Sequence, residues 1–207
     1  MIKISGGLEK GKHLSALGGR DLRPTGAKVR QALFNILGDK IIHSNFLDLF
    51  AGTGAIGIEA LSRGADHSTF VEKNKDHFKL LKTNIDLFQF TDKSTLLCLD
   101  VFKYKISEAH ASASAERGVR GHWEQSEQAP EYKKDVLFDI VFLDPPYLAG
   151  LLEKLLPVLG QSDMIQKSGI MVVEHFKKIS LKDQYGHFSQ MKHYPYGDTI
   201  LSVYQYR

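Results

Sequence analysis

The chain holds a single cysteine, Cys98, among 207 residues. No intrachain disulfide and no cysteine-based metal cluster can form, and one lone thiol fits a reducing compartment. No apolar run reaches the roughly 18 residues that a membrane span requires. The opening MIKISGGLEK soon turns polar, so no secretory leader is expected and a cytoplasmic protein is. The nine histidines lie scattered, with no second ligand at metal-binding spacing, so no metal is expected. Residues 107–135 lack Leu, Ile, Phe and Met altogether, which leaves little to bury. That stretch reads as a mobile loop, with Trp123 as its one large apolar group.

What is present describes a globular chain. Hydrophobic residues make up 43% and charged residues 25%, enough for a substantial core in one or two domains. The net charge of +3 is unevenly distributed. Residues 1–30 contain seven basic residues (Lys3, Lys10, Lys12, Arg20, Arg23, Lys28, Arg30) against two acids (Glu9, Asp21). The rest of the chain is close to neutral. A basic leading segment on a neutral body suits contact with a polyanion.

The pattern along the chain changes once. Residues 1–14 read as a hairpin turning at Gly6-Gly7, and Val29, Leu33, Ile36 and Leu37 recur at helical spacing as far as Gly38, with Thr25 as a candidate N-cap. From residue 41 onward strands and helices alternate. Strands are expected at 41–50, 68–72, 95–99, 138–143 and 169–174, with helices at 54–63, 74–90 and 150–160 between them. Apolar strands divided by helices imply a parallel α/β sheet covered on both faces. Two extended runs, 185–194 and 199–206, then form a closing hairpin, so the sheet should end antiparallel.

Ligands of open parallel sheets bind beyond the carboxyl ends of the strands. The first strand ends in Asp48-Leu49-Phe50-Ala51-Gly52-Thr53-Gly54, and Gly52, Gly54 and Gly57 fit GxGxxG at a strand-to-helix turn. The second strand ends at Glu72, 20 residues after Gly52, where an acid can accept both hydroxyls of a ribose. The third ends at Asp100-Val101, an acid beside an apolar wall suited to adenine. Together these ends describe an adenosine pocket. They leave open a dinucleotide, whose pyrophosphate needs a helix N-terminus, and S-adenosylmethionine, whose cationic end favours acceptors such as Asp48.

The fourth strand runs into Asp144-Pro145-Pro146-Tyr147. Adjacent prolines remove two backbone donors and stiffen the turn. The Asp144 carboxylate and the Pro145 carbonyl can then accept the two hydrogens of an exocyclic amine on a planar base, with Tyr147 stacking on the ring. Such positioning can supply about 7–11 kcal/mol of a barrier. This tetrapeptide favours methyl transfer to nitrogen over hydride transfer.

FLDLFAGTG, FVEKN, CLDV and FLDPPY resemble the successive motifs of class I S-adenosylmethionine-dependent amino-methyltransferases. The leading ISGG..KG..L, LRPT...VR..LFNIL and GAIGIEALSRGA are similar to the RsmD family, whose members methylate a guanine N2 of small-subunit ribosomal RNA. The resemblance covers residues 1–106 and 136–207 and departs from the family at the 107–135 insertion. It implies a Rossmann-like α/β fold with a seven-stranded, mostly parallel sheet whose last strand is antiparallel. A basic extension over residues 1–38 would precede a methyltransferase domain over 39–207. Cofactor contacts are implied at Asp48, Phe50, Ala51, Gly52, Thr53, Gly54, Glu72, Lys73, Asp100, Val101 and Asp144, with Arg23 and Thr25 closing over cofactor or target. Asp144, Pro145, Pro146 and Tyr147 would hold the target base, and Lys10, Lys12, Arg20, Arg23 and Arg30 would grip RNA phosphate. A monomer is expected.

Three rival functions share parts of this pattern. An adenine-N6 DNA methyltransferase would use the same DPPY. A dinucleotide-dependent reductase would use GxGxxG and Glu72 alone. A non-catalytic RNA-binding assembly factor would keep the basic segment and lose the chemistry. GGLEKGK nearly matches a phosphate loop, but His13 stands where a magnesium-binding hydroxyl is needed. A Cys98 nucleophile is disfavoured because its apolar strand is expected to bury the thiol.

Overall fold

The computed structural model describes residues 2–15, 26–104, 137–146 and 150–207. Trp123 and the whole 107–135 insertion lie outside the described residues. The chain opens with β1 (Ile2–Lys3) and β2 (His13–Leu14), which pair antiparallel with Ile2 opposite Leu14. Helix α1 (Ala27–Leu37) follows and ends at Gly38, whose φ of 52° suits a residue without a Cβ. Its N-cap is Gly26, which offers no side-chain cap, so the expected capping role of Thr25 is not what begins this helix.

The main domain then alternates β3 (Asn45–Asp48), α2 (Ala55–Ser62), β4 (His67–Val71), α3 (Lys75–Leu87), β5 (Ser94–Leu97), β6 (Phe138–Leu143), α4 (Leu151–Gly160) and β7 (Ile165–Phe176). Strands β8 (Gln184–Tyr185), β9 (Phe188–Tyr196) and β10 (Thr199–Tyr206) complete it. The sheet order is β5-β4-β3-β6-β7-β10-β9-β8. The first five strands in that order pair parallel, and β10, β9 and β8 each join antiparallel. This is the expected Rossmann-like, mostly parallel sheet, with one more strand. The extra strand is β8, two residues long, which the sequence pattern cannot distinguish from a loop.

The expected strand over 41–50 is shorter in the structure. Gly38–Ile41 forms a 3-10 turn, and Ile41 is buried within it. An apolar run reports burial, and here a turn and a strand share it.

Side chains alternate across the pleat into two cores. Phe46, Phe70, Ile140, Phe142 and Val172 face α1, α2 and α3. Leu47, Val141, Leu143, Met171 and Val173 face α4. Both faces of the central strands are therefore dry, which is why these strands read as continuous apolar runs.

The amino-terminal hairpin is fastened to α2 by a buried ionic cluster. Glu59 is fully buried. It receives Arg30 Nε at 2.8 Å and Arg63 Nη2 at 2.7 Å, together with the backbone N–H and hydroxyl of Ser5. Arg30 Nη2 also donates to the Lys3 carbonyl at 2.6 Å. Gly7 (φ 80°) lies so close to α2 that a Cβ there would meet the Ser62 carbonyl oxygen at 1.9 Å.

Arg30 is therefore not the RNA-phosphate ligand expected from charge alone. It is 3% exposed, and its guanidinium is committed to a carboxylate and a carbonyl. An unpaired buried carboxylate is so unfavourable that Glu59 holds this cation inside. Lys12 lies at the surface in an ion pair with Glu9, and Lys10 is exposed. Arg20, Arg23 and Thr25 lie outside the described residues.

Candidate functional site

The site is assembled at the carboxyl edge of β5, β4, β3 and β6. Parallel register puts Asp48 beside Phe70 on one side and Phe142 on the other. Asp144 thus leaves the sheet two residues beyond Asp48's neighbour.

The three motif glycines serve different ends. Gly52 (φ 54°) carries a Cβ position that meets nothing within 4 Å, so this stretch of backbone is open to a ligand. At Gly54 (φ 83°) a Cβ would strike Leu81 at 2.4 Å, and at Gly57 it would strike the Phe70 ring at 2.2 Å. Those two allow α2 to seat against its neighbours. Glu72 braces the turn from the adjacent strand: its Oε2 accepts the Gly52 N–H at 2.8 Å, and its Oε1 accepts the Asn74 N–H at 2.7 Å. A carboxylate offers about four acceptor positions, so two remain for ribose hydroxyls.

Asp48 is 2% exposed and accepts the Gly57 N–H at 3.3 Å. Gly57 lies in the first turn of α2, so this carboxylate occupies the anion-favouring end of the helix. Burial pushes its pKa up to about 7, opposed by the backbone N–H groups of Gly57 and Phe50 and reinforced by the charges of Asp144 and Glu72. The three strand-end acids therefore share one electrostatic environment.

This arrangement tests the two adenosine ligands left open above. A pyrophosphate would need the place that Asp48 already fills. A ligand with a cationic end meets an acceptor there. The residues present fit S-adenosylmethionine better than a dinucleotide.

The remaining expected residues fall around this centre. Ala51 is buried, and its N–H donates to the Val71 carbonyl at 3.1 Å. Phe50 is half-buried at the turn, and Thr53 is buried. Lys73 Nζ stands 3.9 Å from Asp100 Oδ2, with both side chains substantially exposed. Asp100 closes a tight turn by accepting the Phe102 N–H at 3.0 Å, and Val101 is buried in the α4-side core. Asp144 is half-buried, Pro145 buried and Pro146 exposed. Tyr147 lies outside the described residues.

Cys98 corrects its expectation. Strand β5 ends at Leu97, and the next residue leaves the sheet with its side chain exposed. Its thiol pKa is raised by partial desolvation, so it remains a poor nucleophile.

One positioning residue escaped the sequence reading. Asn84 on α3 is fully buried. Its Nδ2 donates to the carbonyls of Thr53 (2.9 Å) and Ser15 (3.1 Å), and its Oδ1 accepts the Ser15 N–H at 2.8 Å. It ties the glycine turn to the amino-terminal segment. An amide among the apolar positions Leu81 and Ile85 is the signal that would have found it.

Fold and strand-end residues define a class, the Rossmann-like methyltransferases. Within that class the family model described as "Conserved hypothetical protein 95" matches residues 2–116 and 103–205, and the chain belongs to this family of S-adenosylmethionine-dependent methyltransferases. The chain is 31% identical over 207 residues to the Bacillus subtilis protein YlbH, named as a candidate rRNA methyltransferase, with 100% of both chains covered. It is 34% identical over 178 residues to ribosomal RNA small subunit methyltransferase D of Buchnera aphidicola, covering 86% of this chain and 79% of that one. Among solved structures, a hypothetical protein of Thermus thermophilus superposes with a TM-score of 0.75 at 25% identity, covering 99% of each chain. An RNA methyltransferase from Salinibacter ruber, solved with S-adenosyl-L-homocysteine, shares the fold with a TM-score of 0.58 at 18% identity over 87% of this chain and 91% of that one. Among the described residues, no helix is long and apolar enough to cross a membrane.

Proposed function

We propose that this chain transfers a methyl group from S-adenosylmethionine to the exocyclic N2 of a guanine in small-subunit ribosomal RNA. The observation that carries the reading is the placement of Asp48 and Asp144 on neighbouring strand ends. Asp48 fills the helix-end anion site and favours a cationic donor, and Asp144 stands half-buried just past the end of the neighbouring strand. Relatives named as small-subunit rRNA methyltransferases support the choice of RNA.

When bound, the cofactor supplies an electrophilic methyl group. The protein's part is to hold and orient. Gly52 leaves room for close approach, Glu72 accepts the ribose hydroxyls, and Asp48 faces the cationic end. The Asp144 carboxylate and the Pro145 carbonyl accept the two N2 hydrogens of guanine, which aims the amine lone pair away from ring conjugation. Fixed acceptors also favour the positive charge that develops on that nitrogen. A strong base is unnecessary, because the amine acidifies as it is alkylated. The base must leave its stack to enter, at a cost of a few kcal/mol.

Nucleoside mass spectrometry of rRNA incubated with the protein and labelled cofactor tests this. Labelled N2-methylguanosine is expected. Label on adenine N6 of DNA, or no transfer despite cofactor binding, would overturn the assignment. In the same assay Asp144→Ala should lose at least a thousandfold in rate while calorimetric affinity for the cofactor stays within a fewfold.

A further inference from the structure

We propose that the β9–β10 hairpin docks the single-stranded RNA flanking the target nucleotide, binding phosphate on its lysine face and a base on its tyrosine face. The proposal rests on the RNA reading above and assigns that substrate a surface.

The hairpin stands beside the site. Leu143 of β6 pairs in register with Val173 of β7, so Lys177 and Lys178 leave the sheet at the same edge as Asp144. Thr199 pairs with Phe176, and the Lys177 N–H donates to the Asp198 carbonyl at 2.8 Å. These bonds hold the hairpin turn at that edge.

One face borders a cavity of about 510 Å³, rimmed by Lys177, Lys178, Lys192 and His193, with Asp183 the single acid in its lining among the described residues. Its floor is polar and buried: His175 is 4% exposed and Ser202 2%, joined Nε2 to Oγ at 2.9 Å. Burial lowers the His175 pKa, and its Nδ1 lies 3.2 Å from the Phe176 carbonyl oxygen. The neutral ring thus donates to that carbonyl and accepts the Ser202 hydroxyl. The floor is saturated, so attraction for a ligand comes from the rim. Lys177 is held by Asp198 at 2.7 Å. Lys178 and Lys192 have no carboxylate partner among the described residues. Lys178 lies over the Phe176 ring, and Lys192 lies 5.0 Å from the centre of the Tyr194 ring. The rest of the described lining is largely aliphatic, with no Phe, Tyr or Trp ring. Two such cations over an aliphatic wall suit a sugar–phosphate backbone.

The other face is complementary. By strand alternation Lys192 shares the side of β9 that carries Tyr194 and Tyr196, and its side chain also reaches the margin of the first cavity. Tyr194 and Tyr196 border a second cavity of about 570 Å³ with Lys28, Gln31 and Asn35 of α1, and no acid lines it among the described residues. Two phenol rings, two side-chain amides and a lysine offer stacking, edge recognition and charge together, as single-stranded RNA requires. Lys192 over Tyr194 joins the two faces. A protein partner recognised by one anionic group would need only the lysine side.

The test is anisotropy of a fluorescein-labelled single-stranded RNA, titrated at several salt concentrations and run beside the methylation assay. Lys178→Glu with Lys192→Glu should weaken binding at least tenfold and make the salt slope shallower by about 1.4, since each phosphate contact on a single strand contributes about 0.7. Tyr194→Ala with Tyr196→Ala should weaken binding about tenfold or more with the slope unchanged. Lys178→Gln alone, a mild surface change, should reduce the slope by about 0.7. Cofactor affinity should not move in any variant. Wild-type affinity and slope in all of them would overturn the docking surface. Wild-type protein that binds RNA at the hairpin yet transfers no methyl group would overturn the enzymatic reading and leave the surface standing.

Discussion

Two basic regions of this molecule are put to opposite uses. The amino-terminal segment carries the higher density of positive charge, but the structure commits part of it elsewhere: Arg30 is sealed inside against Glu59, and Lys12 pairs with Glu9 at the surface. The β7–β10 region carries a smaller excess in sequence, six basic residues against three acids over residues 165–207, but it presents Lys178 and Lys192 outward at the edge that carries Asp144. Formal charge therefore says little about where a polyanion binds. What matters is whether a buried acid claims the cation first.

The sharpest way to break this contrast is Arg30→Met. Removing one partner of a buried ion pair costs about 3–5 kcal/mol, so the melting temperature should fall by about 10 °C or more for a chain of this size. The salt slope of RNA binding should stay at the wild-type value in protein that remains folded at low temperature. A slope shallower by about 0.7 would return Arg30 to the RNA interface.

The acids show the same inward and outward division, and pH separates them. Asp48, with its pKa raised to about 7, is protonated in the folded state at pH values where the unfolded chain has already released the proton. Its ionisation therefore opposes folding. The stability it leaves intact near pH 4 is lost as pH rises through about 7 and then levels off. Asp48→Asn should flatten that fall, giving a melting temperature that gains on wild type between pH 5 and pH 8. Calorimetric cofactor affinity in the wild type should weaken as pH drops below about 7, because a cationic ligand prefers the ionised carboxylate. Affinity unchanged from pH 8 to pH 6 would place the cationic end elsewhere.

The smallest effect sharpens the comparison from the other side. Lys10 is an exposed amino-terminal cation with no acid assigned to it among the described residues. Lys10→Gln should reduce the RNA salt slope by about 0.7 or less, with melting temperature and cofactor affinity unchanged. A larger reduction than that of Lys178→Gln would reverse the ranking of the two regions.

Much of the architecture was legible because periodicity and turn chemistry act locally. Strand β6 has the expected bounds, Phe138–Leu143, and Gly52 and Gly54 lie at the strand-to-helix turn their spacing required, with Gly57 in the first turn of the helix. Glu72 reaches that turn, as its distance in sequence implied. What escaped depends on contacts between distant segments. Arg30 falls on the same helical stripe as Leu33, Phe34 and Leu37, and Glu59 is the one acid in the otherwise apolar AIGIEAL. Each alone looks like a surface charge, and only their pairing explains both. Asn84 was hidden in the same way inside the α3 stripe. Cys98 was misplaced because an apolar run does not announce where the last hydrogen bond of a strand is made.

The unfilled volume at residue 52 has a practical consequence. Its two partner glycines are locked by Leu81 and Phe70, so enlarging either would damage the scaffold. Position 52 alone of the three meets nothing, and a methyl group there would incur only the modest cost of a left-handed backbone. It is a natural point for steric engineering: an alanine at 52 would crowd an incoming adenosyl ligand while the protein stays folded, and a trimmed synthetic donor could then be made selective for the altered enzyme.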